Sequence, residues 1–145
     1  MAAESPPRPL AARLGLDPAT AVRLVDLPSG VARELAHLPA KAGAGPAAAI
    51  VCAVVDANAI ARHAHALAAS YAAGGRLWLL YPKRSGAIRT DISRDHGWQP
   101  LLALGFVPVQ QVAVDDDWSA LRFRRSEEVR SLTRKTVIGG GAPRR

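Results

Sequence analysis

The stretch 47-AAAIVCAVV-55 decides how the rest of this chain is read. It carries no charged or amide side chain and shows no alternation of apolar and polar positions. A short run of that kind fits a strand covered on both faces, as in a parallel sheet with helices on each side. Asp56 follows directly and is placed to cap a helix running from Ala57 to about Ala73. In that helix Ile60, Ala64, Leu67 and Tyr71 share one face at helical spacing. Gly74 and Gly75 read as its end. A second continuous apolar run, 76-RLWLLYP-82, reads as another buried strand, closed by Pro82.

The flanking segments extend this strand-helix-strand unit in both directions. Upstream, 21-AVRLVDLP-28 is a short β-type run, 29-SGVARELAHLP-39 begins a helix at Ser29 that must stop before Pro39, and 41-KAGAGP-46 is a loop. Downstream, 95-DHGWQPLLALG-105 reads as a short helix with Asp95 as a cap and Gly105 at its end. Because Pro100 fits only the first turn, that helix starts close to Gly97 or Trp98. Finally 106-FVPVQQVAV-114 and 118-WSALRFRR-125 are two β runs joined by three aspartates, an antiparallel hairpin. This order predicts an α/β fold with right-handed crossovers. It is a small three-layer Rossmann-like sheet of three parallel strands plus a C-terminal antiparallel hairpin, with helices on both faces.

A chain of 145 residues fits one domain, expected at 10–130, between a proline-rich tail at 1–9 and a basic, glycine-rich tail at 131–145. Hydrophobic residues make up 49% but aromatics only 5%, so the core is expected to be thin, with few large anchors. From Arg124 onward seven basic residues face Glu127 and Glu128, which places +5 of the net +7 in the C-terminal end. That distribution argues for a sticky terminus more than for a folded surface that tracks a phosphate backbone. No apolar run is long enough to span a membrane, and the N-terminus carries Glu4 and three prolines where a signal peptide needs an apolar stretch, so a cytoplasmic protein is expected. The single cysteine, Cys52, has no disulfide partner and lies inside the apolar run, which predicts a buried, inert thiol.

A helix ending in YAAGG, the strand RLWLLYP, a helix and a closing hairpin together resemble the second half of the methyltransferase-type Rossmann fold, where a PGG turn leads into the strand after the cofactor site. More narrowly, 76-RLWLLYPKRSGAIRTDISRD-95 followed by 113-AVDDDWSALRFR-124 is similar to the bacterial family domain of unknown function 3052. Its members share a Pro-Lys loop and a Val-Asp-x-x-Trp-Ser turn. The family brings no activity with it, so the resemblance implies a fold and leaves function to the residues. Methyltransferases place a glycine-rich turn after their first strand, because only glycine lets the backbone approach the cofactor closely. Here the matching stretch 24-LVDLPSGVA-32 has one glycine, Gly30, and a proline. Only about twenty residues separate the first two strands, too few for a further strand ending in a ribose-holding carboxylate. No cofactor is therefore expected, S-adenosylmethionine included.

In an open α/β sheet ligands bind beyond the carboxyl ends of the strands. Lys83, Arg84, Ser85 and Gly86 fall there, and two cations with a glycine suit a phosphate or carboxylate. The structural alternative is that Lys83 and Arg84 pair with Asp91 and Asp95 and merely hold a loop. In the 114-VDDDWS-119 turn, Asp116 and Trp118 are candidates for the same rim, an aromatic wall beside mixed charge. The spaced pattern of a calcium loop is absent, and aspartate is what turns favour. His63 and His65, two apart on a helix, point to different faces and not at one metal. No Ser-His-Asp or Cys-His pattern and no GxSxG elbow is present. The reading that follows is a non-enzymatic α/β module binding a protein partner or a small anionic ligand at the C-terminal edge of the sheet, through Lys83 to Asp91, with Asp91 itself a candidate ligand-binding residue, and through the Asp115 to Trp118 turn. The alternatives are a small enzyme of degenerate methyltransferase-like fold, with its acid or base among Asp26, Asp56, Asp91 and Asp116, and nucleic-acid binding through the arginine-rich tail.

Overall fold

The computed structural model describes residues 8–41 and 45–129. Five strands form one open sheet in the order β1-β2-β3-β5-β4: β1 (Val22–Val25), β2 (Ala47–Ala53), β3 (Tyr71–Pro82), β4 (Phe106–Ala113) and β5 (Trp118–Arg125). The first three are parallel, and the hairpin adds two antiparallel strands, as the sequence patterning predicts. It is the return strand β5 that lies against β3, pairing Leu77 with Phe123 and Pro82 with Trp118. This register brings the end of the 76–82 strand directly beside the aspartate turn.

Helices α1 (Leu10–Arg13), α2 (Ser29–Leu35), α3 (Ala57–Ser70) and α4 (Gln99–Ala103) cover the sheet. The continuous apolar runs divide by parity, because successive strand residues point to opposite faces. Ile50, Cys52, Leu77 and Leu79 pack under α3 and α4 with Ile60, Leu67, Trp98 and Phe123. Val51, Ala53, Trp78 and Leu80 pack under α1 and α2 with Leu10, Val31 and Leu35. Two cores on either side of one sheet explain why neither run alternates.

The first crossover differs from the expected one. After α2 the chain pairs briefly with the outer side of β1, where Val22 N–H donates to the Pro39 carbonyl at 2.8 Å and Lys41 N–H donates to the Val22 carbonyl at 2.9 Å. At Gly45, whose carbonyl accepts from the Arg23 guanidinium at 2.8 Å, the chain is on its way into β2, which pairs with the other side of β1. The unit through α2 thus moves away from β2, whereas α3 carries the chain from β2 to β3. Opposite directions with helices on opposite faces give both units the same hand. The gap between β1 and β2 is therefore the point at which the connections diverge.

Several boundaries move. Asp56 caps α3 as expected, its Oδ1 accepting from Ala59 N–H at 2.8 Å. The helix stops at Ser70, however, and Gly74 and Gly75 belong to the opening of β3, because Tyr71 already pairs with Ala47. Helix α4 is capped at Trp98 and not at Asp95, whose carboxylate pairs with Arg94. Trp98 points inward and donates to the Ser93 carbonyl. Helix α1 has no counterpart among the elements that the sequence predicts. It is a single turn, tied down by Leu10 and Leu14 in the core and by Arg13, which donates to the Ala113 and Val114 carbonyls. Among the described residues no helix is long and apolar enough to cross a membrane. The expected tail at 131–145, and all but Arg8 and Pro9 of that at 1–9, lie outside the described residues, as does the arginine-rich segment from Arg130.

Candidate functional site

At the carboxyl ends of the strands the two distinctive motifs form one unit. Lys83 N–H donates to the Asp117 carbonyl at 2.8 Å and Gly86 N–H to the Lys83 carbonyl at 3.0 Å. Ala87 N–H donates to Asp117 Oδ1 at 2.9 Å. Asp115 Oδ1 in turn accepts from Asp117 and Trp118 N–H, which folds the aspartate turn upon itself. A side chain at Gly86 would stand 2.9 Å from the Asp117 Cα and carboxylate, so glycine is required for this close approach.

The candidate residues are thereby placed. Arg84, Ser85 and Asp116 are exposed, while Lys83 and Gly86 are half-buried. Trp118 is only 7% exposed and packs in the core beneath α1 and α2, so it lines no rim. Asp91 reaches over to α3 and accepts from Ala57 N–H at 2.9 Å. With Asp56 it places two carboxylates on the N-terminus of that helix, where its dipole favours negative charge. The alternative pairing of Lys83 and Arg84 with Asp91 and Asp95 does not form: Asp91 accepts from Ala57 N–H and Asp95 from Arg94. Among the described residues Lys83, Arg84 and Arg89 form no ion pair. A cavity of about 210 Å³ lies here, lined by Arg84, Gly86, Ala87, Ile88, Arg89 and Thr90.

A second feature lies at the divergence between β1 and β2. Asp26 ends β1 with φ +57°, the left-handed conformation that aspartate tolerates better than most residues. Its Oδ2 lies 3.0 Å from His63 Nε2 on α3. The aspartate side chain is exposed and the imidazole mostly covered. Reading the sequence for linear motifs could not find this pair, since its members are 37 residues apart. Directly below, burial and the Asp26 charge push the Cys52 thiol up to about 12, as suits an inert core residue. Gly30 lies in the first turn of α2, and no protein atom among the described residues stands within 4 Å of where its side chain would be.

The opposite edge of the sheet holds a third cluster that the sequence reading missed. Glu128 accepts from the Tyr71 hydroxyl and from Gly74 N–H, both at 2.6 Å, and from Arg125 N–H at 3.0 Å. Burial alone would raise the Glu128 pKa. The three hydrogen bonds and the nearby Arg124 outweigh it and hold the carboxyl below its usual 4.5. Burial and Glu128 push the Tyr71 phenol up to about 12. A carboxylate with a lowered folded-state pKa contributes stability above about pH 4.5, and that contribution is lost as pH falls through the folded value. Glu128→Gln should therefore destabilise the protein at neutral pH and flatten the acid limb of its stability curve below pH 4.5, read by urea denaturation across the pH range. An unchanged acid limb would mean that the carboxylate is not held in this network.

No protein-family model and no curated protein matches the chain. Among solved structures it is similar to ribosomal protein L11 methylase from Lactobacillus delbrueckii subsp. bulgaricus, at 13% identity and TM-score 0.44, over 70% of this chain and 57% of that one. It is also similar to the N-methyltransferase NodS from Bradyrhizobium japonicum WM9, at 14% identity and TM-score 0.40, over 74% of this chain and 86% of that one. The chain thus spans little more than half the length of the L11 methylase.

Proposed function

We propose that this protein is a small non-enzymatic α/β binding module that takes an anionic ligand, a phosphate or carboxylate, at the loop 83–90 on the carboxyl edge of the sheet. One observation carries the reading. The loop is fixed from behind by Asp117, yet the cations it presents, Arg84 and Arg89, have no carboxylate partner among the described residues. Guanidinium groups held on a braced backbone recognise planar oxyanions by paired hydrogen bonds. S-adenosylmethionine has no place in this reading, since the stretch 24–32 carries one glycine, Gly30, where methyltransferases place a glycine-rich turn. Kinship with the domain of unknown function 3052 family is proposed on the two motifs alone, and those motifs are the parts that interlock here.

A second reading, a small enzyme, is favoured by one pair. Asp26 and His63 meet at the divergence between β1 and β2, where open α/β sheets place their ligands, and a histidine oriented by a carboxylate suits general acid-base chemistry. Nucleic-acid binding rests on the segment from Arg130, outside the described residues.

One experiment separates the first two readings. Thermal unfolding is measured with sugar phosphates, nucleotides, nicotinamide cofactors, S-adenosylmethionine and its demethylated product, and each incubation is then assayed for chemical change. A ligand at a hundred times its dissociation constant should raise Tm by about 5–10 °C for a domain of this size. That rise should shrink when Arg84 and Arg89 are both changed to alanine. A rise left unchanged by the double replacement removes the loop as the binding site. No rise with any compound removes the small-ligand reading and leaves a protein partner. A compound that is converted, with conversion abolished in His63→Asn, replaces the binding reading with the enzymatic one.

A further inference from the structure

The opening of β3 contains more chain than the neighbouring strand accommodates. Ala47 pairs with Tyr71 and Ala49 with Arg76, so five steps along β3 oppose two along β2. The surplus, residues 72–75, bulges outward at the amino edge of the sheet. Each part of the bulge is fixed. Gly74 adopts φ +77° and gives its N–H to Glu128. Gly75 lies so close to the Ala48 and Ala72 carbonyls that a side chain would stand 2.8 Å from each. Between the bulge and the segment after α1 is a cavity of about 240 Å³, with Gly15, Leu16, Thr20, Ala49, Gly75 and Arg76 on its wall.

Three arginines gather at this edge on the face of α1 and α2. Arg76 precedes Trp78 on β3 with the same parity, and Arg122 and Arg124 share that parity on β5, where Arg122 pairs with Trp78. The Arg76 guanidinium lies against Gly15, at 3.2 Å from where a β-carbon would stand. Arg122 reaches the Gly75 carbonyl, on the cavity wall, at a long 3.5 Å. All three side chains are half-buried, and the buried Nε atoms of Arg122 and Arg124 have no hydrogen-bond partner among the described residues. Burial, then the charges of Arg76 and Arg124, lower the Arg122 pKa.

The cluster is poorly neutralised. Glu128 is already engaged by Tyr71, Gly74 and Arg125, and it lies 4.0 Å from Arg124 Nε. Asp17, on the cavity wall, accepts from Ala19 N–H and forms no ion pair among the described residues. Residues 130–145 contain only basic charged side chains, and Glu4 is the one carboxylate side chain in residues 1–7. Gathering half-buried like charges is unfavourable unless an anion joins them, and a phosphate dianion suits several guanidinium groups at once.

We propose a second, separate anion site at the amino edge of the sheet, in which Arg76 and Arg122 hold the phosphate of a small phosphate monoester whose organic part lies against Leu16 and Ala49 in the adjoining cavity, with Arg124 reinforcing the field. This site lies at the opposite edge from loop 83–90 and does not depend on it.

The test uses the whole protein and inorganic phosphate, followed by amide NMR at ionic strength held constant with chloride. Saturable shifts are expected at Gly15, Thr20, Gly74 and Gly75, with at least tenfold weaker binding in Arg122→Gln and no change at these amides in Arg84→Ala. Arg76→Gln is the second variant should Arg122→Gln fail to fold, and the same weakening is expected. Absence of saturable shifts at these four amides, or equal affinity in the folded variants, overturns the proposal. Shifts confined to 84–90 would do so too while supporting the loop site, so the two readings fail independently.

Discussion

Trp78→Ala is expected to leave little folded protein at physiological temperature. The indole is fully buried in the core beneath α1 and α2, and its Nε1–H donates to the Leu14 carbonyl at 2.9 Å. Deleting a buried tryptophan costs about 3–5 kcal/mol, a large part of the whole stability of an ordinary domain. The loss should be especially damaging here because the core has few large anchors, with Trp78, Phe106 and Phe123 the largest fully buried side chains. The hydrogen bond adds a specific role. It fastens the turn after α1, which supplies Gly15 and Leu16 to the cavity wall, onto the centre of the sheet. Trp78→Phe keeps most of the packing but leaves the Leu14 carbonyl without its donor, and should cost about 1–3 kcal/mol. Denaturant midpoints of the three proteins check this. A shift under about 1 kcal/mol for the alanine variant would mean that the α1 segment is not docked as described.

The second large effect belongs to a residue with no side chain. Gly75→Ala places a methyl group 2.8 Å from two backbone oxygens, those of Ala48 and Ala72, neither of which can rotate away. Relief requires the start of β3 to lift from β2, at an expected cost of about 3 kcal/mol or more. Its neighbour separates sterics from conformation. Gly74 has open space around it but φ +77°, so Gly74→Ala should cost only about 1 kcal/mol. A denaturation series should therefore rank Gly75→Ala well below Gly74→Ala. The reverse order would show that residues 72–75 do not bulge as described.

These two glycines also mark where sequence reading was sound and where it stopped. Taken as a pair after an alanine-rich helix, they look like a helix terminator, and a turn of the chain does occur nearby. What moves the boundary back to Ser70 is the pairing of Tyr71 with Ala47, a partner far off in the chain. Asp95 is not the cap that its spacing suggests, for a related reason. It precedes a helical run at plausible spacing, but Arg94 takes its carboxylate, and Asp91 goes to a different helix altogether.

Candidate residues divide in the same way. The Pro-Lys loop and the aspartate turn stand out in the sequence because of their charge and glycine content, and they do meet. Their joint is made mostly by backbone groups and by Asp117, which was not singled out, while Trp118 turns into the core. The Asp26–His63 pair and the arginines at the amino edge carry no linear signal, because each is assembled from strands or helices that are distant in the chain.

The sequence by itself determined the types of the elements from β1 to β5, the parallel start and antiparallel end of the sheet, and the burial of both faces. These follow from local patterning: unbroken apolar runs, a helical stripe, and turn residues between them. Only the tertiary structure decided the route of the chain around β1, the bulge opening β3, and which charges are left without opposite partners. Those depend on register and on close approach between distant segments, and neither has a counterpart in the order of residues along the chain.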